Sequence, residues 1–304
     1  GGGRARGWGR GGGGGRARAT VFLGVTIANI IGVPAATLLG QQLGWRSTFL
    51  IVAAIGLVAM ASLARLIPPL PAEEHSGLGR ELRALGNRQV LLGLLTTVFG
   101  FAGIFAVYSY LASMMTEVTG FAAGSVPLVL ALFGIGMTLG ALAAGPLTDR
   151  ALRPTLYGSL AALALVLTAF HFTAQVKWAA LVTVVVIGAV GFLTTTPLQM
   201  LVMNKAQQAP TLAAASNQSA FNLANAGGAW VGGLALAAGW GWTSPTLVGA
   251  VLAALGLAVA VVAGLLDRAT HDTSRIVARG GEADPERQTA APVEAGVPAG
   301  EHLG

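Results

Sequence analysis

GVTIANIIGVPAATLLGQQLGWRSTF, residues 24–49, carries no charged side chain before Arg46 and sets Ala28, Gly32, Ala36 and Gly40 at steps of four, with Pro34 among them. On a helix that spacing makes one smooth stripe, along which a second helix can approach closely. Two readings are open: ordinary tight packing, or a contact between two halves that slide or rock. Pro34 has no backbone N–H and can bend the helix it sits in. A second stretch, ASNQSAFNLANAGGAWVGG (215–233), echoes the first. Ala28-Asn29, Gly32 and Ala36, followed by Gly44-Trp45, Ser47 and Leu50, are answered by Ala224-Asn225, Gly228 and Gly232, then Gly241-Trp242, Ser244 and Leu247. Asn29 and Asn225 stand 196 positions apart, and Ser47 and Ser244 stand 197 apart, so one residue is inserted between the blocks.

The rest of the 304 residues gives these stretches their setting. Hydrophobic types make up 54% and charged types only 10%, with a mean hydropathy of +0.70. A soluble domain carries ~25% charge, and a chain this poor in it could not cover a water-facing surface. Crossing a bilayer takes ~20 apolar helical residues. Eight such runs occur, near 20–42, 47–67, 90–115, 125–147, 154–174, 178–201, 212–238 and 245–266. Their length excludes the short alternating segments of a β-barrel. The fold class is an all-α integral membrane protein.

The runs organise the chain. Residues 1–19 are a Gly/Arg-rich segment with no apolar core, neither a helix nor a signal peptide. The first two spans occupy 20–67. A Pro-rich, charged linker follows at 68–89, then six spans over 90–266, then a polar tail at 267–304 expected to be disordered. Lys and Arg fall mostly at one end of the spans: Arg80, Arg83 and Arg88 in the linker, then Arg150, Arg153, Lys205, Arg268 and Arg275. Only Arg46 and Lys177 lie at the other. The asymmetry puts both termini and the linker in the cytoplasm. Trp45, Trp178, Trp240 and Trp242 fall at the outer ends, where an amphipathic ring prefers the interface. The net charge of +6 follows this loop pattern and does not form a nucleic-acid-binding face.

The two echoing hairpins run the same way through the membrane, as in carriers built from parallel repeats. If the repeat extends over the six-span unit, the counterpart of residue 90 falls upstream of Gly1. Four further helices are then expected there, making twelve in the intact protein.

Chemistry-bearing residues are few. Gln218, Asn222 and Asn225 are spaced to share one face of the seventh span. Uncharged amides in lipid are costly without partners, so the stripe reads either as a cavity wall or as interhelical hydrogen bonding. Thr195 and Gln199 in the sixth span are weaker candidates, since threonine can bond its own helix backbone. Asp149 and Arg150 end the fourth span as a gate or as a topogenic charge pair. Tyr108 and Tyr110 read as interfacial anchors, and His171 as a bystander at the outer edge of the fifth span. No Asp, Glu, Lys or Arg sits mid-span, and no metal-binding, nucleotide-binding or nucleophile motif occurs. Cysteine is absent. An enzyme is therefore not expected, and neither is a metal.

At these residues a family resemblance becomes specific. The 24–49 stretch resembles the fifth helix and following turn of major facilitator superfamily transporters, in the bacterial drug and arabinose efflux group of drug:proton antiporters. NQSAFNLANAGGAWVGG (217–233) is similar to that group's eleventh helix. GPLTDR (145–150) looks like the second-half copy of its gating loop, although Leu152, Arg153 and Pro154 stand where the family has a glycine and two basic residues. The resemblance covers about residues 20–267. It implies a bundle of two six-helix halves in the inner membrane, alternating access, a small-molecule substrate, a proton gradient in place of any cofactor, and an antiport role for the Gly32, Pro34 and Gly40 motif. Asn29, Gly32, Pro34, Gly40, Thr195, Gln199, Gln218, Asn222 and Asn225 are the expected cavity or half–half contacts. The readings set against export are a non-transporting scaffold or sensor of the same fold, and an inactive piece of the carrier.

Overall fold

A computed structural model of the chain describes residues 31–66, 86–206 and 210–282. Among these, ten α-helices follow in order: α1 Val33–Leu43, α2 Trp45–Leu66, α3 Arg88–Tyr108, α4 Leu111–Glu117, α5 Val126–Arg150, α6 Leu152–Thr173, α7 Lys177–Leu193, α8 Thr195–Lys205, α9 Pro210–Ala237 and α10 Ser244–Glu282. The chain divides into two compact units, 1–261 and 262–304. The bundle lies in the first. Of the second, residues 262–282 are described, and they are the helical end of α10, which runs past the boundary at 266 expected from composition.

Six stretches among the described residues are long and apolar enough to cross a membrane, and they match the second to sixth and the eighth runs read from the sequence. The seventh run is α9, a full 28 residues whose amides lower its hydropathy. Of the first run, only residues from 31 on are described, and they hold α1; its earlier residues lie outside the described ones, as do the 1–19 segment and most of the linker.

The bundle is held by backbone meeting backbone. A methyl group at Gly136 would overlap the Val185 carbonyl, and one at Gly140 the Ala189 carbonyl. In return Gly188 is closed by the Phe133 carbonyl, so α5 and α7 have no room for side chains between them. The same holds between α9 and α3, where Gly228 sits on the Ala102 carbonyl, and between α3 and α10, where Gly103 and Gly249 face one another. In lipid the hydrophobic effect does not pull helices together, and association rests on dispersion. A glycine at these points brings the most atoms into contact. Leu156, Leu160, Leu163, Leu167 and Phe170, all at 1% exposure or below, make α6 the inner pillar of the core.

Two spans read as continuous are broken. α3 ends at Tyr108 and the chain restarts as α4 at Leu111. The sixth run divides at Thr194, because Pro197 cannot donate to the carbonyl four residues back. α1 begins after a π-type turn at Ile31–Gly32, and Pro34 lies in its first turn. A π turn next to a proline is a recognised origin of a bend.

Candidate functional site

α9 packs on α3 along one face and neighbours α8. The seventh-span amides do not act as one stripe. Gln218 and Asn222 are exposed on α9, whereas Asn225 is half-buried and its Oδ1 finds no partner among the described residues. The amide that serves as interhelical glue is Asn217, one position earlier and 2% exposed: Thr97 of α3 donates its hydroxyl to Asn217 Oδ1 at 3.0 Å. Packing and a polar surface were alternatives for the sequence. The helix uses both, on faces about 100° apart.

Beside the amides stands a group of rings. Phe101 meets Phe221 edge-on with centroids 4.7 Å apart, Phe192 at 6.0 Å and Phe105 at 5.5 Å. Phe101 is buried, and the other three are partly accessible. These rings come from α3, α7 and α9, and Phe192 stands two residues before the break at Thr194. Thr194 and Thr195 turn their hydroxyls back onto the Gly191 and Phe192 carbonyls at 2.6 and 2.7 Å. This satisfies backbone groups freed at the break. Gln199, one turn into α8, is exposed. The result is an aromatic wall from α3, α7 and α9 at a discontinuous helix, with exposed amides on α8 and α9.

The other part of the expected site is at α1. Asn29 lies outside the described residues. Gly32 is exposed, and a Cβ there would meet nothing within 4 Å. Gly40 faces its own hairpin: its nearest neighbour is Thr48 Oγ1, which donates to the Ala36 carbonyl at 3.1 Å. The two glycines thus point at different things. α1 packs on α5, and Gln41 Nε2 donates to the carbonyl of Ala123, in the single 3-10 turn that precedes α5, at 3.3 Å. α1 and the aromatic wall are therefore separate places in the bundle, joined through α5 and α7.

Comparison with known proteins settles the family. The model of the Major Facilitator Superfamily matches residues 12–229. The chain belongs to that superfamily. It is 41% identical over 239 residues to the inner membrane transport protein YdhP of Escherichia coli K12, covering 79% of this chain and 61% of that protein. It is 34% identical over 248 residues to the chloramphenicol resistance protein of Streptomyces lividans, with 80% and 63% covered. The putative transporter AraJ of E. coli K12 is 30% identical over 258 residues, with 84% and 65% covered. The chain thus spans about three-fifths of the length of these curated relatives. It is a multi-pass membrane protein of a transporter family, not of an enzyme family.

In this major facilitator chain Asp149 and Arg150, read from the sequence as a gate or a topogenic pair, are exposed at the end of α5, and Thr148 beneath them is 3% exposed with no partner for its hydroxyl among the described residues. Tyr108 and Tyr110, read as interfacial anchors, are half-buried and engaged within the bundle. Tyr108 stacks on Phe133 with centroids 4.8 Å apart, and Tyr110 donates to the Ala229 carbonyl of α9 at 2.8 Å, across the break between α3 and α4. The sequence missed Asn217 and the Phe101 group. The one available signal was the recurrence of Phe near the middle of three spans, which spacing alone cannot converge.

Proposed function

We propose that the chain belongs to an efflux carrier that exports small amphipathic organic molecules by proton antiport, with alternating access and both termini in the cytoplasm. The observation that carries the proposal is that the exposed amides Gln218 and Asn222 lie within one turn of Phe221 in α9, whose ring meets Phe101, in a largely apolar bundle. Amides donate and accept without the cost of a buried charge, and rings offer a flat apolar surface. Together they suit a ligand that is part aromatic and part polar. A relative is named a chloramphenicol resistance protein, and another, from Mannheimia succiniciproducens, a probable sugar efflux transporter. The rings favour the drug-like class. Proton coupling is carried over from the efflux group that the 24–49 stretch resembles. The contact of α1 on α5 supplies the sliding surface between halves, and Asp149 with Arg150 the cytoplasmic gate.

The test is export from proteoliposomes under an imposed pH gradient. It uses the chain itself and a chimera carrying the N-terminal part of the E. coli relative ahead of residue 20. Export by the chimera should fall about tenfold in the double variant Gln218→Leu/Asn222→Leu, the size of effect expected for one or two lost hydrogen bonds. Unchanged export in that variant removes those amides from the pathway. A chimera that inserts but moves nothing down the gradient favours the non-transporting reading.

A further inference from the structure

At the end of the bundle opposite Asp149 and Lys205, a cavity of about 390 Å³ opens between α6, α9 and α10. It is lined by His171, Val231, Trp240, Ser244, Val248 and Val251, among others, and its walls are almost wholly apolar. That size falls in the range of small-molecule sites. It is not part of the wall described above, which stands on α3, α7 and the first half of α9. Its rim is open to the side: Trp240 is 71% exposed, Val251 60% and Leu247 41%.

Two polar groups sit at one end of this apolar slot. Ser244 is 5% exposed, and its buried Oγ finds no partner among the described residues. His171 is fixed by Nδ1, which lies 3.3 Å from the Thr243 carbonyl. Thr246 Oγ1 lies 3.5 Å from the same nitrogen, and since a carbonyl only accepts, Nδ1–H is the donor to Thr243. From Ser244 the slot runs along α10 to Val251, about 10 Å at 1.5 Å per residue. It thus starts at the Trp240 and Trp242 level, where the membrane interface lies, and descends toward the hydrocarbon. A buried hydroxyl without a partner is an unmet hydrogen bond.

We propose that this slot is a lipid-binding site, which holds one acyl chain along α10 and the hydroxyl- or ester-bearing glycerol end of the same lipid at Ser244 and His171. The lateral opening, the interfacial polar end and the apolar descent follow the order of groups along a membrane lipid. The slot stands independently of the transport reading, since it needs only the bundle and the bilayer.

The experiment uses the full chain in vesicles of phosphatidylethanolamine and phosphatidylglycerol, with a trace of phosphatidylglycerol carrying a diazirine on one acyl chain. After illumination, the labelled peptides are read by mass spectrometry. Labelling of residues 244–252 should saturate as the probe fraction rises. Labelling on the exposed face of α2, around Leu57, should rise linearly as for bulk lipid. Val251→Trp, at the exposed rim, should abolish the saturable part without disturbing the fold, checked by gel filtration. Ser244→Ala should weaken half-saturation about fivefold, the loss of one hydrogen bond. An unlabelled lipophilic amine without a glycerol end should compete poorly. Linear labelling at 244–252, indifference to Val251→Trp, or full displacement by the amine each overturns the proposal.

Discussion

The hairpin α1–α2 and the hairpin α9–α10 share a sequence pattern and differ in surroundings. Their turns match closely: Gly44 has φ of 81° and Gly241 of 86°, and in each the serine three residues on donates its backbone N–H to the glycine carbonyl, at 3.1 and 3.0 Å. The echo in sequence is thus an echo in backbone. Burial is another matter. Gly228 of α9 is pressed on the Ala102 carbonyl, while a Cβ at its counterpart Gly32, just before α1, would meet nothing among the described residues, and α2 has no buried residue. Local chemistry sets the turn wherever the motif occurs. Packing needs a partner, and for the first hairpin the described residues supply only α5.

Substitutions can break or sharpen this contrast. The largest difference is expected between equivalent glycines. Gly228→Leu drives a side chain into the α3 backbone and should cost about 4 kcal/mol or more, beyond the usual range for a single change. Folded, monodisperse yield in detergent should collapse. Gly32→Leu in the same chain should stay within about 0.5 kcal/mol, as at an open surface. Equal losses would mean that the first stripe is already packed. The middle effect should be symmetric: Gly44→Ala and Gly241→Ala each place a Cβ in the left-handed region at about 1–2 kcal/mol, read as similar falls in melting temperature. Unequal falls would separate the turns that the repeat equates. The smallest effect is Tyr110→Phe, which loses the bond to Ala229. Hydrogen bonds between membrane helices average about 0.6 kcal/mol, so Tm should fall by only ~2 °C.

Much of the bundle could be read from sequence because a bilayer demands runs of fixed length. The second to sixth and eighth runs coincide with membrane-length helices, and the Gly-Trp turns recur where the repeat placed them. The breaks after Tyr108 and at Thr194 were not seen, since a hydrophobic run shows no gap where the backbone turns within it. Pro197 was the available sign for the second. Periodicity put Gln218, Asn222 and Asn225 on one face, yet it could not say that two of them are exposed and the third half-buried. It passed over Asn217, whose partner Thr97 lies 120 residues away. His171 was read as a bystander, although it lines the cavity beside Ser244. For all three, the deciding fact is a contact between distant parts of the chain.

The central claim is that Gln218 and Asn222 face a wetted pathway. The chain contains no cysteine, so single cysteines can be placed without a background. Gln218→Cys and Asn222→Cys in vesicles carrying the chimera should react with a hydrophilic maleimide and be shielded by a bound aromatic substrate. Leu57→Cys, on the apolar face of α2, should stay unreacted. If positions 218 and 222 react no faster than position 57, those amides face lipid or protein, and the proposed pathway does not pass them.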